Sequence, residues 1–169
     1  MGGGHKKVIV RKFNRDWICG YLSVSPPSPG SAVGVLDLAG KLIALPLSEV
    51  KWICYVREFN LSETDQPERL LRKRFHSRPR AEGLWIRVQL RDKDSLEGLA
   101  QNDATLLEGD GLFLVPPDPR SNTQRIFIPR QAVTSMEILA VVRTGGARRA
   151  AAGAAPLQES LFREAGSAE

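Results

Sequence analysis

The order of apolar and turn residues in the first half of the chain recurs in the second half. Segment 7–22 matches segment 85–100 at a constant offset, so that Gly20 falls on Gly98. Further along, Ile43-Ala-Leu-Pro46 matches Ile126-Phe-Ile-Pro129. A repeat of this length is one structural unit used twice, so it decides which folds are available. We therefore predict an internal duplication.

Each half is rich in Val, Ile, Leu and aromatic residues, in short runs bounded by turn residues, which is typical of strands. Ile86, Val88 and Leu90 alternate with polar residues, the period of a half-buried strand. Pro129 ends such a run because proline cannot donate to a central ladder. The predicted strands lie near 7–13, 16–23, 32–38, 41–46 and 51–58, and in the second half near 86–90, 94–98, 112–115, 124–128 and 134–142.

About five short strands in each half must curl on themselves to bury one apolar face, and closure also removes exposed edges. The predicted fold is all-β, with two tandem five-stranded small barrels. The divisions are 6–58 for the first barrel, 59–83 for a basic, partly helical linker, 84–142 for the second barrel and 143–169 for an Ala/Gly/Arg-rich tail expected to be disordered. Since a barrel of this size buries only ~60% of its unfolded surface, the two are expected to pack together, or the chain to dimerise.

The linker has the pattern of a short helix. Pro67–His76 is helix-friendly, Asp65 is placed to cap it, and Pro79 ends it. Between Arg69 and Arg80 there are six basic residues and no acid, whereas the whole chain carries only +5. The candidate anion-binding residues are Arg72, Lys73, Arg74, Arg78 and Arg80, because arginine pairs phosphate or carboxylate bidentately. The alternative is a solvated face balanced by Glu58, Glu63, Asp65 and Glu68 just upstream.

A polar loop at 116–125 is inserted only in the second half and displays Arg120, Asn122 and Arg125. Long loops of this kind are often recognition loops, so these three residues are a second candidate site. A plain spacer is the alternative.

Catalytic and metal chemistry is poorly represented. Two cysteines and two histidines cannot form a Cys/His zinc site at the usual spacings, and no glycine-rich phosphate loop precedes a helix. Cys19 and Cys54 fall on predicted strands, where buried cysteines act as small apolar residues. We predict no enzyme activity, no metal and no cofactor. Without an apolar run of membrane length or a signal peptide, we also expect a cytoplasmic protein with no membrane insertion.

Two families share parts of this pattern. The segment from Ile86 to Asp92 with Leu96-Glu-Gly98, followed by Ile128-Pro129, resembles the Sm-like and SH3-like small barrels. The resemblance implies a five-stranded barrel in each half. It implies no RNA-binding residues, because the Arg-Gly signature of the Sm family is absent.

Arg74-Phe-His-Ser-Arg78, just ahead of the second predicted barrel, resembles the arginine motif of PilZ domains. Asp103-Ala-Thr105 is similar to the later PilZ motif, with threonine in place of serine. This resemblance implies a cyclic di-GMP site that includes Arg74, Arg78, Asp103 and Thr105. The chain as a whole also resembles bacterial proteins whose domain has no assigned function.

These observations favour a non-enzymatic binding or adaptor module in bacterial regulation, with a protein as the expected partner. A PilZ-like cyclic dinucleotide receptor and an Sm-like RNA-binding protein are the alternatives.

Overall fold

The computed structural model describes residues 4–23, 32–62 and 67–143, and these residues contain strands and short 3-10 turns but no α-helix. Each strand predicted from the sequence is present. In chain order the strands are β1 (His5–Lys12), β2 (Trp17–Ser23), β3 (Ala32–Asp37), β4 (Leu42–Pro46), β5 (Val50–Val56), β6 (Gly83–Leu90), β7 (Ser95–Ala100), β8 (Gly111–Leu114), β9 (Thr123–Pro129) and β10 (Val133–Val142). The protein is therefore all-β in the part described. The predicted tail beyond Arg143 lies outside it.

The strands form two sheets in which all neighbours are antiparallel. The larger sheet has seven strands in the order β4-β3-β2-β1-β5-β9-β8, and the smaller has three in the order β10-β6-β7. β7 and β8 are linked by a single bridge between Leu99 and Val115. β5 is the strand through which the two halves meet, because it pairs with β1 on one side and with β9 on the other.

The two halves have matching local structure. β1 lies between β2 and β5, and β6 lies between β7 and β10. The turns after β1 and β6 share a residue at positive φ, Arg15 at 75° and Lys93 at 68°. In both turns an amide N–H donates across the hairpin at 2.8 Å, from Lys12 to Asp16 and from Leu90 to Asp94. A duplication predicts this agreement, and the duplication itself stays a prediction.

The predicted closure of each half into its own barrel is not seen among the described residues. β4 and β8 end the larger sheet, and β5 pairs with β9 of the other half instead of with β4. The physical reason lies in β5, which is apolar on both faces. Trp52 and Cys54 enter one hydrophobic core, while Ile53 and Tyr55 enter the other. Such a strand needs covering on both faces, so a central position in a continuous sheet suits it better than a barrel wall.

The predicted linker helix is wrong, because residues 67–82 contain no helix, and its proposed cap Asp65 lies outside the described residues. Tertiary contacts take the backbone groups that a helix would use. The Thr123 hydroxyl donates to the carbonyl of Glu68, and the Ser121 hydroxyl donates to that of Arg69 at 2.8 Å. Arg69 has a φ of 49°, which a right-handed helix does not allow.

No helix in the described ranges is long and apolar enough to cross a membrane.

The close approach of β2 to β3 at Gly20 gives a test of this packing. A Cβ added there would lie 2.6 Å from Val35 Cγ1 and would also overlap the carbonyl of Leu36. We expect Gly20→Ala to lower the free energy of unfolding by about 1–3 kcal/mol through overpacking, as measured by urea denaturation. In the control, Gly34→Ala, the nearest atom is 3.3 Å away on the exposed side chain of Leu42, and the effect should be small. Equal losses in both variants would contradict this account.

Candidate functional site

The linker is attached to β1 through a buried carboxylate. Glu68 is only 4% exposed, and Arg11 on β1 donates to it from Nε at 3.2 Å and from Nη2 at 3.0 Å to each oxygen. Leu70, two residues later, is buried in the larger core cluster. A buried carboxylate requires such a bidentate partner, since an unpaired charge there would be strongly destabilising.

A second anchor attaches the linker to β7. The amide of Glu97 donates to the carbonyl of Lys73 at 2.6 Å, and the amide of Phe75 donates to Glu97 Oε2 at 3.2 Å. The same carboxylate accepts from Trp85 Nε1 at 3.1 Å and from Arg87 Nη2 at 2.9 Å. Burial alone would raise the pKa of Glu97, but these hydrogen bonds outweigh it and lower the pKa below 4.5.

Lys73 differs from the other predicted anion-binding residues. Its Nζ lies 2.9 and 2.8 Å from the two oxygens of Asp94, which also accepts from Lys51 at 2.9 Å. Burial raises the pKa of Asp94, and the two lysines reverse this effect and lower it below 3.8. Lys73, predicted as a candidate anion-binding residue, therefore forms an ion pair within the protein, and its role in anion binding stays a prediction.

The other four predicted anion-binding residues are all exposed, namely Arg72, Arg74, Arg78 and Arg80. None of them forms an ion pair with a described residue. The upstream acids that were expected to balance them are used elsewhere, since Glu58 pairs with Lys7 at 2.7 Å and Glu68 with Arg11. Glu63 and Asp65 lie outside the described residues.

Asp103 and Thr105 have a local structural role. Asp103 caps the 3-10 turn Ala104–Leu106, and its carboxylate accepts from the amide of Thr105 at 3.0 Å and from the Thr105 hydroxyl. Both residues are exposed. The pairing of Leu84 with Ala100 places the segment before β6 and the segment after β7 at the same end of their ladder.

The predicted recognition loop of residues 116–125 forms hydrogen bonds to the end of the first half. The side chain of Asn122 accepts from the amide of Glu58 at 3.1 Å and donates to its carbonyl at 2.9 Å. Arg125 stacks over Phe113 at 3.7 Å from the ring centroid, whereas Arg120 is exposed. Asn122 is therefore explained by structure, and Arg120 remains available for contacts.

A cleft of about 430 Å³ lies where the linker meets the turns after β1 and β6. Its lining is strongly charged and consists of Arg11, Lys12, Phe13, Arg15, Lys51, Trp52, Glu68, Leu70, Lys73, Asp92 and Asp94. Lys51 pairs with both Asp92 and Asp94, at 2.6 and 2.9 Å, and its Nζ lies 4.7 Å from the ring centroid of Trp52. The sequence indicated turn residues at Asp92 and Asp94, but only the fold shows that they join the two halves.

Both cysteines are free and buried. Burial, reinforced by the negative charge of Glu68, raises the pKa of Cys19 to about 11 and also raises that of Cys54. Since the thiolate is the nucleophile, neither cysteine is poised for catalysis. The described residues contain no group of three or more His, Cys, Asp or Glu side chains that could hold a metal ion.

The Glu97 anchor gives a pH-dependent prediction. We expect Glu97→Gln to lower the free energy of unfolding by about 1–3 kcal/mol at neutral pH, because the partly buried donors from Phe75, Trp85 and Arg87 lose a charged acceptor. A lowered folded pKa adds stability that is complete above the ordinary value of 4.5 and is lost as the pH falls through the folded value. Urea denaturation between pH 7 and 3 should therefore show a smaller acid loss for the variant than for the native chain.

The matched control is Glu137→Gln, which removes the other partner of Arg87, a carboxylate with 63% of its side chain exposed. An exposed ion pair contributes at most about 1 kcal/mol. If the two variants behave alike, the linker anchor does not depend on Glu97.

Comparisons with known proteins place the chain by family and not by activity. The model of a family of unknown function, DUF6982, matches residues 4–140. No curated protein matches the chain, and no solved structure does. None of these findings supports the expected resemblance to Sm-like, SH3-like or PilZ domains. Because the family model covers most of the chain, the protein belongs to the DUF6982 family.

Proposed function

We propose that the chain is a non-enzymatic binding module that contacts an acidic surface of a protein partner through Arg72, Arg74, Arg78 and Arg80. The observation that carries this proposal is that all four are exposed and have no carboxylate partner among the described residues. Guanidinium groups pair carboxylates bidentately and are weakly hydrated, so they suit such an interface.

The backbone that carries these arginines is anchored on both sides of Arg74. The backbone carbonyl of Lys73 accepts from the amide of Glu97 on β7. Pro79, between Arg78 and Arg80, is buried. Preorganisation of a contact segment lowers the entropy lost on binding. The anchored linker therefore presents its charges at a lower cost than a free basic tail.

A protein partner is favoured over single-stranded RNA by the state of the aromatic side chains. Recognition of unpaired bases uses exposed aromatic rings as stacking platforms. Near the linker, Trp85 packs edge-on against Phe75 at 5.6 Å and donates its N–H to Glu97, and Trp52 is only 3% exposed. The two rings nearest the arginines, Phe75 and Trp85, are thus only partly exposed and pack against each other, which leaves less open ring face for stacking than a base-binding platform offers.

The test is a fluorescence anisotropy titration of labelled polyglutamate, as a stand-in for an acidic protein surface, with the full chain at low and moderate salt. In the test variant, Arg72, Arg74, Arg78 and Arg80 are changed to Gln. We expect its affinity to fall at least about fourfold, since four exposed ion pairs at about 0.2 kcal/mol or more each contribute at least about 0.8 kcal/mol.

The matched control changes the same net charge at exposed cations outside the linker, namely Lys6, Arg15, Lys93 and Arg143 to Gln. Equal loss in both variants would reduce the effect to net charge and contradict the proposal. Parallel titrations use single-stranded RNA and cyclic di-GMP. Tighter binding to RNA with a steep salt slope, or binding of one cyclic dinucleotide that is lost in both Arg74→Ala and Arg78→Ala, would replace the protein partner with that ligand.

A further inference from the structure

β10 is an edge strand whose apolar residues are incompletely covered. It pairs with β6 and, within the described ranges, with no strand on its other side. Ile138 lies opposite Ile86, which is fully buried, yet Ile138 itself is 55% exposed. Directly paired residues project to the same face of a sheet, so Ile138 lies on the core face and extends beyond its cover. Val141, opposite Leu84, is 46% exposed in the same way.

β4 is the corresponding open edge of the seven-stranded sheet. In the described part of the chain it pairs only with β3, and Leu42 at its start is 69% exposed. A long apolar edge with unpaired backbone groups is a template for pairing with another chain.

The chain already contains a model for how these two edges fit together. In the sequence repeat, β4 corresponds to β9, since Ile43–Pro46 matches Ile126–Pro129, and β5 corresponds to β10, since Val50 matches Val133. β5 and β9 pair with each other, with Ile53 opposite Phe127, Cys54 opposite Ile126 and Tyr55 opposite Arg125. Their counterparts β10 and β4 are unpaired with each other within the described residues.

We propose that β4 of one chain adds to β10 of a second copy, in the register that β9 adopts on β5. This register places Ala44, Ile43 and Leu42 of one copy opposite Met136, Glu137 and Ile138 of the other. The two residues thus brought together, Leu42 and Ile138, are the most exposed large apolar side chains of their respective edges. Lys41, which has no ion pair among the described residues, lies two positions before Ile43, so this register brings it near Glu137, which also binds Arg87 at 3.1 Å.

The interface joins two different edges, so each association leaves one β4 and one β10 open. Such a head-to-tail contact produces a ring when the rotation closes and an open chain when it does not. A two-fold dimer through two β10 strands would be a different interface, and the experiment below separates the two.

The first test is analytical ultracentrifugation of the native chain, Leu42→Asp and Ile138→Asp over a range of concentrations. We expect the native mass to rise with concentration above 18.6 kDa and each variant to remain a monomer. Both residues are exposed, and circular dichroism with thermal unfolding checks that each variant is folded. An equimolar mixture of the two variants should form a heterodimer, because one supplies an intact β10 and the other an intact β4.

Two results would overturn the proposal. A native chain that stays monomeric at every concentration has no such interface. If Leu42→Asp still dimerises, or if the mixture of variants stays monomeric, the contact does not join β4 to β10.

The register is tested by disulfide cross-linking. Chains with Leu42→Cys and with Ile138→Cys are mixed and oxidised, and the buried native cysteines do not interfere. Cross-strand neighbours lie within the ~4.4–6.8 Å between Cα atoms that a disulfide spans, so a covalent heterodimer should form. The control pair Leu42→Cys with Glu137→Cys places the second cysteine on the opposite face. Equal cross-linking in both mixtures, or none in the first, would contradict the register.

Discussion

The pairing of β5 with β9 is the contact on which the rest of the structure depends. β5 is bonded along both edges and buried on both faces, so it contributes to both hydrophobic cores at once. Through this strand the first half of the chain and the β8–β9 hairpin of the second half become one sheet. The halves therefore share their cores, which relieves the low burial that a domain of about 60 residues would have alone.

Charged side chains complete the connection between the halves and so determine which cations stay available. Arg11 is used by Glu68, and Lys51 and Lys73 are used by the acidic turn after β6. These ion pairs connect the first half, the linker and the second half around one cleft. The linker arginines lie outside this network, and they are exposed and form no ion pair with a described residue.

The candidate site was predictable in composition but not in arrangement. A run of basic residues without acids indicated an anion-binding segment, and all five of its arginines are exposed. The run could not show that Lys73 pairs with Asp94, because the two are brought together only by the fold. Asn122 was equally ambiguous, since a polar loop residue that recognises a partner and one that holds Glu58 have the same sequence pattern.

The strands and turns could be predicted from residue order alone, because their causes are local. Alternation in Ile86, Val88 and Leu90 specifies a half-buried strand, and Asp and Asn side chains specify the hairpin turns. The pairing of β5 with β9 and the absence of a helix in residues 67–82 are set by contacts that form in the folded chain. Strand partners and buried ion pairs depend on residues far apart in the chain, such as Glu68 and Arg11, whose contact no local pattern encodes. The weak helix propensity near Pro67 is overridden by tertiary contacts. The carbonyl of Glu68 accepts from the Thr123 hydroxyl, Leu70 is buried in the core, and the carbonyl of Lys73 accepts from the amide of Glu97 on β7.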